Sequence, residues 1–132
     1  MTGIHQALYS FWSRFSYDGE PIPAYLTGHV PDGAAFPYIT FDVTVPSAFY
    51  ASIVTATVWC RASSGFNVNA QRAAILDSID RAIPEADARI DYPGGFAMLR
   101  RGSGDFHAYV TDEEDKSVVG GMTRCEMTIY HD

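Results

Sequence analysis

The side chains that could carry acid–base or metal chemistry in this sequence are four histidines and one acidic run. His107 is the histidine nearest along the chain to a carboxylate cluster, the Asp-Glu-Glu-Asp run at residues 112–115. An imidazole beside carboxylates can act as a general base or ligate a metal ion. His5, His29 and His131 are scattered without metal-ligand spacing, and acidic runs usually lie on solvated loops. The pattern therefore predicts no metal site and no catalytic centre.

Motifs for a nucleophile or for phosphate binding are incomplete. Ser63-Ser64-Gly65 lies between a predicted strand and a predicted helix, but it lacks the flanking pattern of a nucleophile elbow. Gly94-Gly95 and Gly120-Gly121 lack the lysine and the following helix of a phosphate-binding loop. Cys60 and Cys125 fall on the apolar positions of strand patterns, which predicts free, buried thiols, with a disulfide or metal pair as the alternative. We therefore expect a protein that is not an enzyme and needs no cofactor.

The composition is that of a globular protein with a single domain. The chain has 132 residues, 47% of them hydrophobic, and a formal net charge of −7, and this length supports one core. The charge argues against tightly bound nucleic acid, because phosphate binding requires clustered Lys and Arg, but it does not exclude nucleic acid passing nearby. Neither an apolar run of the roughly 18 residues that cross a membrane nor a signal-peptide pattern is present. We expect a protein made in the cytoplasm, without membrane contact.

The strongest structural pattern is a β-hairpin over residues 36–61. Apolar and polar residues alternate in both arms, at 36–46 and 53–61, so each strand has one apolar and one half-polar face. Phe49 and Tyr50 stand side by side at the predicted tip, where exposed aromatics favour a protein contact; the alternative is that one of them folds back onto the core. Because a two-stranded ribbon is marginal alone, its apolar face requires a cover.

Two amphipathic helices are predicted to supply this cover. The first is capped by Thr2 and runs to about Phe15, and the second is capped by Asn67 and ends at Pro84. Both carry an apolar stripe at helical spacing, whereas the charged side chains of the second helix are expected to turn largely outward. These charged residues are Arg72, Asp77, Asp80 and Arg81.

The remaining segments complete a predicted α+β fold. Residues 16–35 show no periodicity and indicate an irregular loop, whereas a tight turn at 93–95 joins short strands at 88–92 and 96–101. We expect 105–121 to form mostly a long, mobile, acidic loop and 122–131 to form the last strand. The result is one domain, residues 1–132, with a mainly antiparallel sheet of about four to five strands and both helices on one face. The other face, threonine-rich and weakly charged, suits either water or another copy of the protein.

The order of these elements resembles that of a known protein family. An aromatic N-terminal helix and a proline-rich loop lead to the strand Phe36-Pro37-Tyr38-Ile39-Thr40-Phe41, then to Thr57-Val58-Trp59 and a helix at 69–83. Tyr92-Pro93-Gly94-Gly95, Leu99-Arg100-Arg101-Gly102, an acidic loop and a closing strand follow. Over nearly the whole chain this arrangement is similar to the small tail proteins of siphophages and prophages, the tail terminator or tail-completion group.

The resemblance implies a structural virion protein that is synthesised in the bacterial host cytoplasm and assembles with copies of itself into a ring, often a hexamer. Such a ring stops polymerisation of the tail tube protein and offers its other surface to the head–tail connector protein. It leaves a central channel through which DNA passes without specific binding. It lies at the interface between tail and head.

A set of residues is predicted at the contacts of such a ring, and the acidic run is expected to face the lumen or a neighbouring subunit. The predicted contact residues are Phe49, Tyr50, Trp59, Arg61, Arg100 and Arg101, and the run comprises Asp112, Glu113, Glu114 and Asp115. Three alternatives remain open. They are a head-completion or neck protein of the same assembly region, a monomeric binding module or small enzyme with a pocket between the 16–35 loop and the sheet, and a regulatory partner of the toxin–antitoxin kind.

Overall fold

The computed structural model describes residues 3–44, 52–63, 66–83, 87–101 and 106–131. Within these ranges the chain is α+β, with two helices and nine strands. The helices are α1 (Gly3–Trp12) and α2 (Val68–Ala82). The strands are β1 (Ser16–Tyr17), β2 (Glu20–Pro21), β3 (Ala24–Leu26), β4 (Tyr38–Thr44), β5 (Ser52–Arg61), β6 (Ala88–Tyr92), β7 (Gly95–Arg101), β8 (His107–Thr111) and β9 (Val118–His131).

Both helices lie close to their predicted positions. The Asn67 side chain accepts a hydrogen bond of 3.0 Å from the Ala70 backbone N–H, which satisfies one free donor at the start of α2 and confirms the predicted cap. Helix α1 ends at Trp12, earlier than predicted, although the Phe15 side chain still packs in the core. The predicted cap of α1, Thr2, and the predicted end of α2, Pro84, lie outside the described residues.

Strand β9 is the centre of the sheet. One of its edges pairs with β5, and its other edge pairs first with β8 and then with β7. The order across the sheet is β3-β4-β5-β9-β7-β6, with β8 beside β9, and every pairing except the parallel β3–β4 pair is antiparallel. This sheet of seven strands is larger than the predicted one of about four to five strands, whereas the hairpin of β4 and β5 is confirmed.

Two predicted loops contain strands. Residues 16–35, predicted to be irregular, hold the small ribbon of β1 and β2 and then β3, which pairs with β4 through Ala24↔Ile39. Residues 105–121, predicted to be mostly loop, hold β8 and the beginning of β9. Both predictions were wrong because these strands are short or interrupted by glycine, and a pairing partner distant in sequence stabilises them.

A single hydrophobic core lies between the helices and one face of the sheet. Helix α1 contributes Leu8, Phe11 and Trp12, and α2 contributes Ile75 and Ile79. Strand residues of one parity complete this core: Ile39, Phe41, Val54, Ala56, Val58, Cys60, Ala97, Leu99, Cys125 and Met127. The prediction of both helices on one face is therefore confirmed.

Strand residues of the other parity form a second surface, here called the open face, on which neither helix packs. Its members alternate with the core residues on the same strands, and most of them are partly buried by their neighbours. They include Tyr38, Thr40, Asp42, Thr55, Thr57, Trp59, Phe96, Met98, Arg100, Arg124, Glu126 and Thr128.

Candidate interaction surfaces

The centre of the open face is a threonine-rich area around Trp59. The Trp59 indole Nε1 donates a hydrogen bond of 3.1 Å to the Thr40 hydroxyl on the neighbouring strand. The indole lies against Gly120 of β9, where a Cβ atom would come within 3.0 Å of the aromatic ring. The predicted contact residue Trp59 is therefore a partly buried aromatic side chain whose orientation on the open face is fixed by its neighbours. Side chains of this type are enriched in protein interfaces.

An aromatic cluster with one arginine lies at the end of the open face beyond Trp59. The aromatic rings of Phe36 and Tyr38 have their centroids 5.0 Å apart, and Tyr25 meets Tyr38 edge to face at 5.9 Å. The Arg61 guanidinium lies 4.5 Å from the Phe36 ring centroid and 3.2 Å from the Asp115 carboxylate. This stacking orients the predicted contact residue Arg61 beside the open face, with its side chain about half exposed.

The opposite end of the open face combines stacked aromatics with an ion pair. Phe96 and Tyr130 stack with centroids 4.8 Å apart, and Arg89 lies 3.8 Å from the Phe96 ring centroid. Arg100 and Glu126 face each other across β7 and β9, with Nε and Oε2 separated by 3.1 Å. Of the two adjacent arginines predicted at contacts, Arg100 thus lies on the open face.

Arg101, the other predicted contact arginine, points to the helix side of the sheet. Its guanidinium donates hydrogen bonds of 2.9 Å to the backbone carbonyls of Asp80 and Ile83 at the end of α2, and it lies 2.8 Å from the Asp80 carboxylate. A helix ends with unpaired carbonyl groups, so Arg101 joins the end of α2 to β7 within the chain. The predicted tip residues Phe49 and Tyr50 lie outside the described residues.

The acidic run forms a compact turn between β8 and β9, here called the acidic turn (residues 112–117). Asp112 accepts hydrogen bonds from the backbone N–H groups of Glu114 and Asp115 at 2.8 and 3.1 Å. Asp115 accepts from the Ser117 hydroxyl and backbone N–H at 2.6 and 3.0 Å, and these bonds hold the pKa of the Asp115 carboxyl below its usual value. The two glutamates, Glu113 and Glu114, are exposed. Hydrogen bonds to its own carboxylates therefore hold this segment in a compact turn, whereas the sequence predicted a long, mobile loop.

His107, the histidine nearest in sequence to the acidic run, contacts a carboxylate that lies outside that run. Its Nδ1 lies 3.0 Å from the Thr123 hydroxyl, and its Nε2 lies 3.7 Å from Asp80 Oδ1, which Arg101 also contacts. Burial lowers the pKa of His107, with Arg101 acting in the same direction and Asp80 and Asp77 opposing it. Thr123 is fully buried, so the arrangement links α2, β7 and β9 and presents no nucleophile to solvent.

This burial predicts a stability change with pH that His107 controls. Because the pKa of His107 is lower in the folded chain than the ordinary value of 6.5, the unfolded chain binds more protons as the pH falls below 6.5. Stability should therefore fall as the pH is lowered through 6.5 and below it. In His107→Gln this part of the decrease should be absent in denaturant titrations, whereas the exposed control His29→Gln should keep it. An equal decrease in His107→Gln would contradict the assignment.

The two cysteines are buried thiols, and the described acidic and histidine residues form no metal-ligand cluster. Cys60 and Cys125 are free and buried, as predicted, and burial raises their pKa values to about 11 and about 12, which keeps both thiols protonated and unreactive. Among the described residues no group of three or more His, Cys, Asp or Glu side chains could hold a metal ion.

Among the depressions lined by the described residues are two cavities and one groove. A cavity of about 440 Å³ lies where the 16–35 segment meets the sheet, with Arg61, Ser63 and Gln71 in its wall. Another, of about 290 Å³, lies between α2 and β8 and contains His107 and Asp77 among apolar side chains. A groove of about 450 Å³ runs between α1 and β6.

Comparison of the chain with protein-family models, with curated proteins and with solved structures finds no match. The likeness to phage tail proteins therefore remains a prediction from the sequence. In the described part of the chain, neither helix is long and apolar enough to cross a membrane.

Sequence reasoning missed one buried cation, Arg72. This side chain, predicted to turn outward, is 9% exposed. Its guanidinium donates to the Gly120 carbonyl at 3.3 Å and to Asn69 at 3.0 Å, and it lies 3.8 Å from the Tyr109 ring centroid. Gly120-Gly121 in β9 is the sequence signal that could have revealed it, because glycines within a strand mark a close approach of other groups.

Proposed function

We propose that this protein is a structural component of a phage or prophage tail, a ring-forming tail terminator that caps the tail tube and joins it to the head connector. The open face is the observation that carries the proposal. A large sheet has one side buried under two helices, while its other side presents threonines, aromatic side chains and arginines without a helical cover. A second copy of the chain is the partner that would cover this side.

The chemistry of the open face favours a protein partner. Aromatic residues and arginine are enriched where proteins meet, and Trp59 and Arg61 are held by contacts within the subunit. Side chains already fixed lose little conformational entropy on binding. The threonines between them carry no charge and so cost little to desolvate in comparison with Lys or Glu.

The charge of the chain supports a channel through which DNA slides. With a net charge of −7, a ring of this protein would repel phosphate instead of binding it, and the exposed Glu113 and Glu114 concentrate that charge. The proposed partners are further copies of the chain, the tail tube protein and the head–tail connector protein. The proposed location is the tail–head interface of the virion, and the role is non-enzymatic. A head-completion or neck protein would use the same surfaces.

A charge placed at the centre of the open face tests this proposal. We expect the wild-type protein to form a hexamer-sized ring, visible by light scattering and negative-stain microscopy, and Thr57→Lys to remain monomeric, because assembly would bury an unpaired ammonium group. The control Ala74→Lys, at an exposed position of α2, should assemble normally. Circular dichroism should show the same fold in all three proteins. Normal assembly of Thr57→Lys would remove the open face from the contact.

Trp59 provides a second readout of the same contact. The chain has two tryptophans, and Trp12 is fully buried whereas Trp59 lies on the open face. Acrylamide quenching of the monomer should therefore act mainly on Trp59. Assembly should reduce that quenching in the wild type, and Thr57→Lys should show the monomer value at every protein concentration.

One observation favours a second candidate, a module that binds a small molecule. The cavity of about 290 Å³ between α2 and β8 places His107 and Asp77 in an apolar lining, and the pKa of His107 is lowered by burial. A ligand there should shift the NMR signals of His107 and Tyr109 in a protein that stays monomeric. Ring assembly without such a ligand favours the structural role.

A further inference from the structure

We propose that the subunits of this ring meet head to tail, with the acidic turn of one copy docked in the groove between α1 and β6 of the next. This contact rests on the proposed ring and specifies which two surfaces form it. The occupant of the groove is a second copy of this chain, identified by complementary charge and by the placement of the two surfaces in the fold.

The groove carries two arginines in a chain that is acidic overall. Arg14 of the α1 side lies 4.3 Å from the Phe11 ring centroid, and Arg89 of β6 lies 3.8 Å from that of Phe96. Asp91 in the same groove is 2.8 Å from the Nε of Arg89, so two cations face one carboxylate. Stacking on the aromatic rings positions both guanidinium groups for an incoming anion. The groove therefore has a local positive excess suited to carboxylates.

The acidic turn presents carboxylates that match this excess. Asp112 and Asp115 are engaged within the turn, and Asp115 also pairs with Arg61. Glu113 and Glu114 are exposed and form no ion pair in the described part of the chain. Since the turn is already ordered by its own hydrogen bonds, docking would fix only the two glutamate side chains.

The two surfaces lie at opposite ends of β9. The acidic turn directly precedes Val118, the first residue of β9, whereas Gly95, next to the groove residues Tyr92 and Pro93, pairs with His131 at the other end. At a rise of about 3.3 Å per residue, a strand of this length separates the two ends by roughly 40 Å. A single copy cannot bring them together. Two different surfaces at opposite ends make a heterologous contact, which repeats from copy to copy and closes when the rotation allows.

The same neighbour would cover the adjoining part of the open face. The acidic turn lies beside Arg61, and the open-face positions Thr57 and Trp59 precede it on β5. On the partner, Arg89 lines the groove and also stacks on Phe96 of the open face, so the groove and the open face adjoin there. The charged contact would thus form one edge of a larger interface whose centre is aromatic and threonine-rich, as expected of a stable protein contact.

Charge reversal and its rescue test this contact. Glu113→Lys with Glu114→Lys, and separately Arg14→Glu with Arg89→Glu, should each weaken self-association at least about tenfold at low salt, measured by sedimentation velocity. An equimolar mixture of the two variants should associate again, because each supplies the charge that the other now requires. Rising salt should weaken the wild-type association and the mixed association alike.

A matched control separates this contact from a general effect of net charge. The double variant Glu20→Lys with Asp32→Lys alters the net charge by the same amount at two other exposed acidic residues and should leave self-association unchanged.

Self-association that survives both charge reversals, or a mixture of the two variants that does not associate, overturns the contact. If both reversed variants form rings but Thr57→Lys does not, the proposed ring stands with a different neighbour surface. A wild-type protein that stays monomeric at low salt overturns the contact and the ring together. If the groove reversal abolishes binding to tail tube protein but not self-association, the groove belongs to another protein and the contact is overturned.

Discussion

Ile79→Asp should leave the protein unfolded at room temperature. Ile79 is 1% exposed and lies on the side of α2 that packs against the sheet. Removing a side chain of this size from a core costs about 2–5 kcal/mol, and an unpaired carboxylate in the same place costs several kcal/mol more. Domains of this size have roughly 5–15 kcal/mol of stability in total. The substitution should therefore consume most or all of it.

Two controls on the same helix show that burial is the cause. Ala74→Asp introduces the same charge at an exposed position of α2 and should change the free energy of unfolding by less than about 0.5 kcal/mol. Ile79→Val removes one methylene from the core and should cost about 1 kcal/mol. Far-UV circular dichroism and denaturant titration measure all three. A cooperative transition in Ile79→Asp close to that of the wild type would show that α2 does not seal the core.

The elements that could be predicted from the sequence are those whose signal is local. The alternation in β4 and β5, the cap at Asn67 and the apolar stripe of α2 depend on residues close together in the chain, and each lies near its predicted position. The turn between β6 and β7 is of the same kind. Local rules sufficed because the tertiary environment agrees with them.

The missed strands depend on distant partners. β3 has three residues, and it is a strand because it pairs with β4 beyond a proline-containing segment. β8 and β9 flank the acidic turn, and Gly120-Gly121 lie within the start of β9; acidic turns and paired glycines are typical of loops. No local sequence pattern indicates that the pairing of β5 with β9 extends as far as Val118. Pairing over such distances depends on the folded chain as a whole.

The candidate site follows the same rule: residues placed by a local pattern could be predicted, and residues placed by distant segments could not. The alternation of β5 determines that Trp59 and Arg61 share a face with Thr57, so their place on the open face follows from the period of a strand. His107 shows the limit, because its nearest carboxylate comes from Asp80 on α2 and not from the acidic run beside it in sequence. The groove that holds Arg14 and Arg89 also joins two segments far apart in the chain, α1 and β6, and no spacing rule reveals it.

Gly95→Ala should cost about 3 kcal/mol of unfolding free energy, because β7 and β9 approach too closely there for a side chain. A Cβ atom on Gly95 would lie inside contact distance of the Tyr130 carbonyl oxygen and 3.2 Å from the Tyr92 hydroxyl. A carbonyl that belongs to a paired strand cannot turn aside as a flexible side chain can. The strands would have to separate, weakening the pairing between Gly95 and His131. Thermal unfolding should show the transition lowered by about 10 °C.

The neighbouring glycine separates this steric cause from a conformational one. Gly94 has φ +99°, a backbone conformation that L-residues rarely adopt, but nothing lies within 4 Å of its added Cβ. Gly94→Ala should therefore cost only about 1–2 kcal/mol. Asn tolerates positive φ better than Ala, so Gly94→Asn should recover part of that loss, whereas Gly95→Asn should be at least as destabilising as Gly95→Ala. An equal cost for alanine at both positions would show that the close approach of β7 and β9 relaxes easily. Because this turn lies beside the groove between α1 and β6, the Gly95 variant should also weaken any assembly that depends on the groove, at temperatures where the variant is still folded.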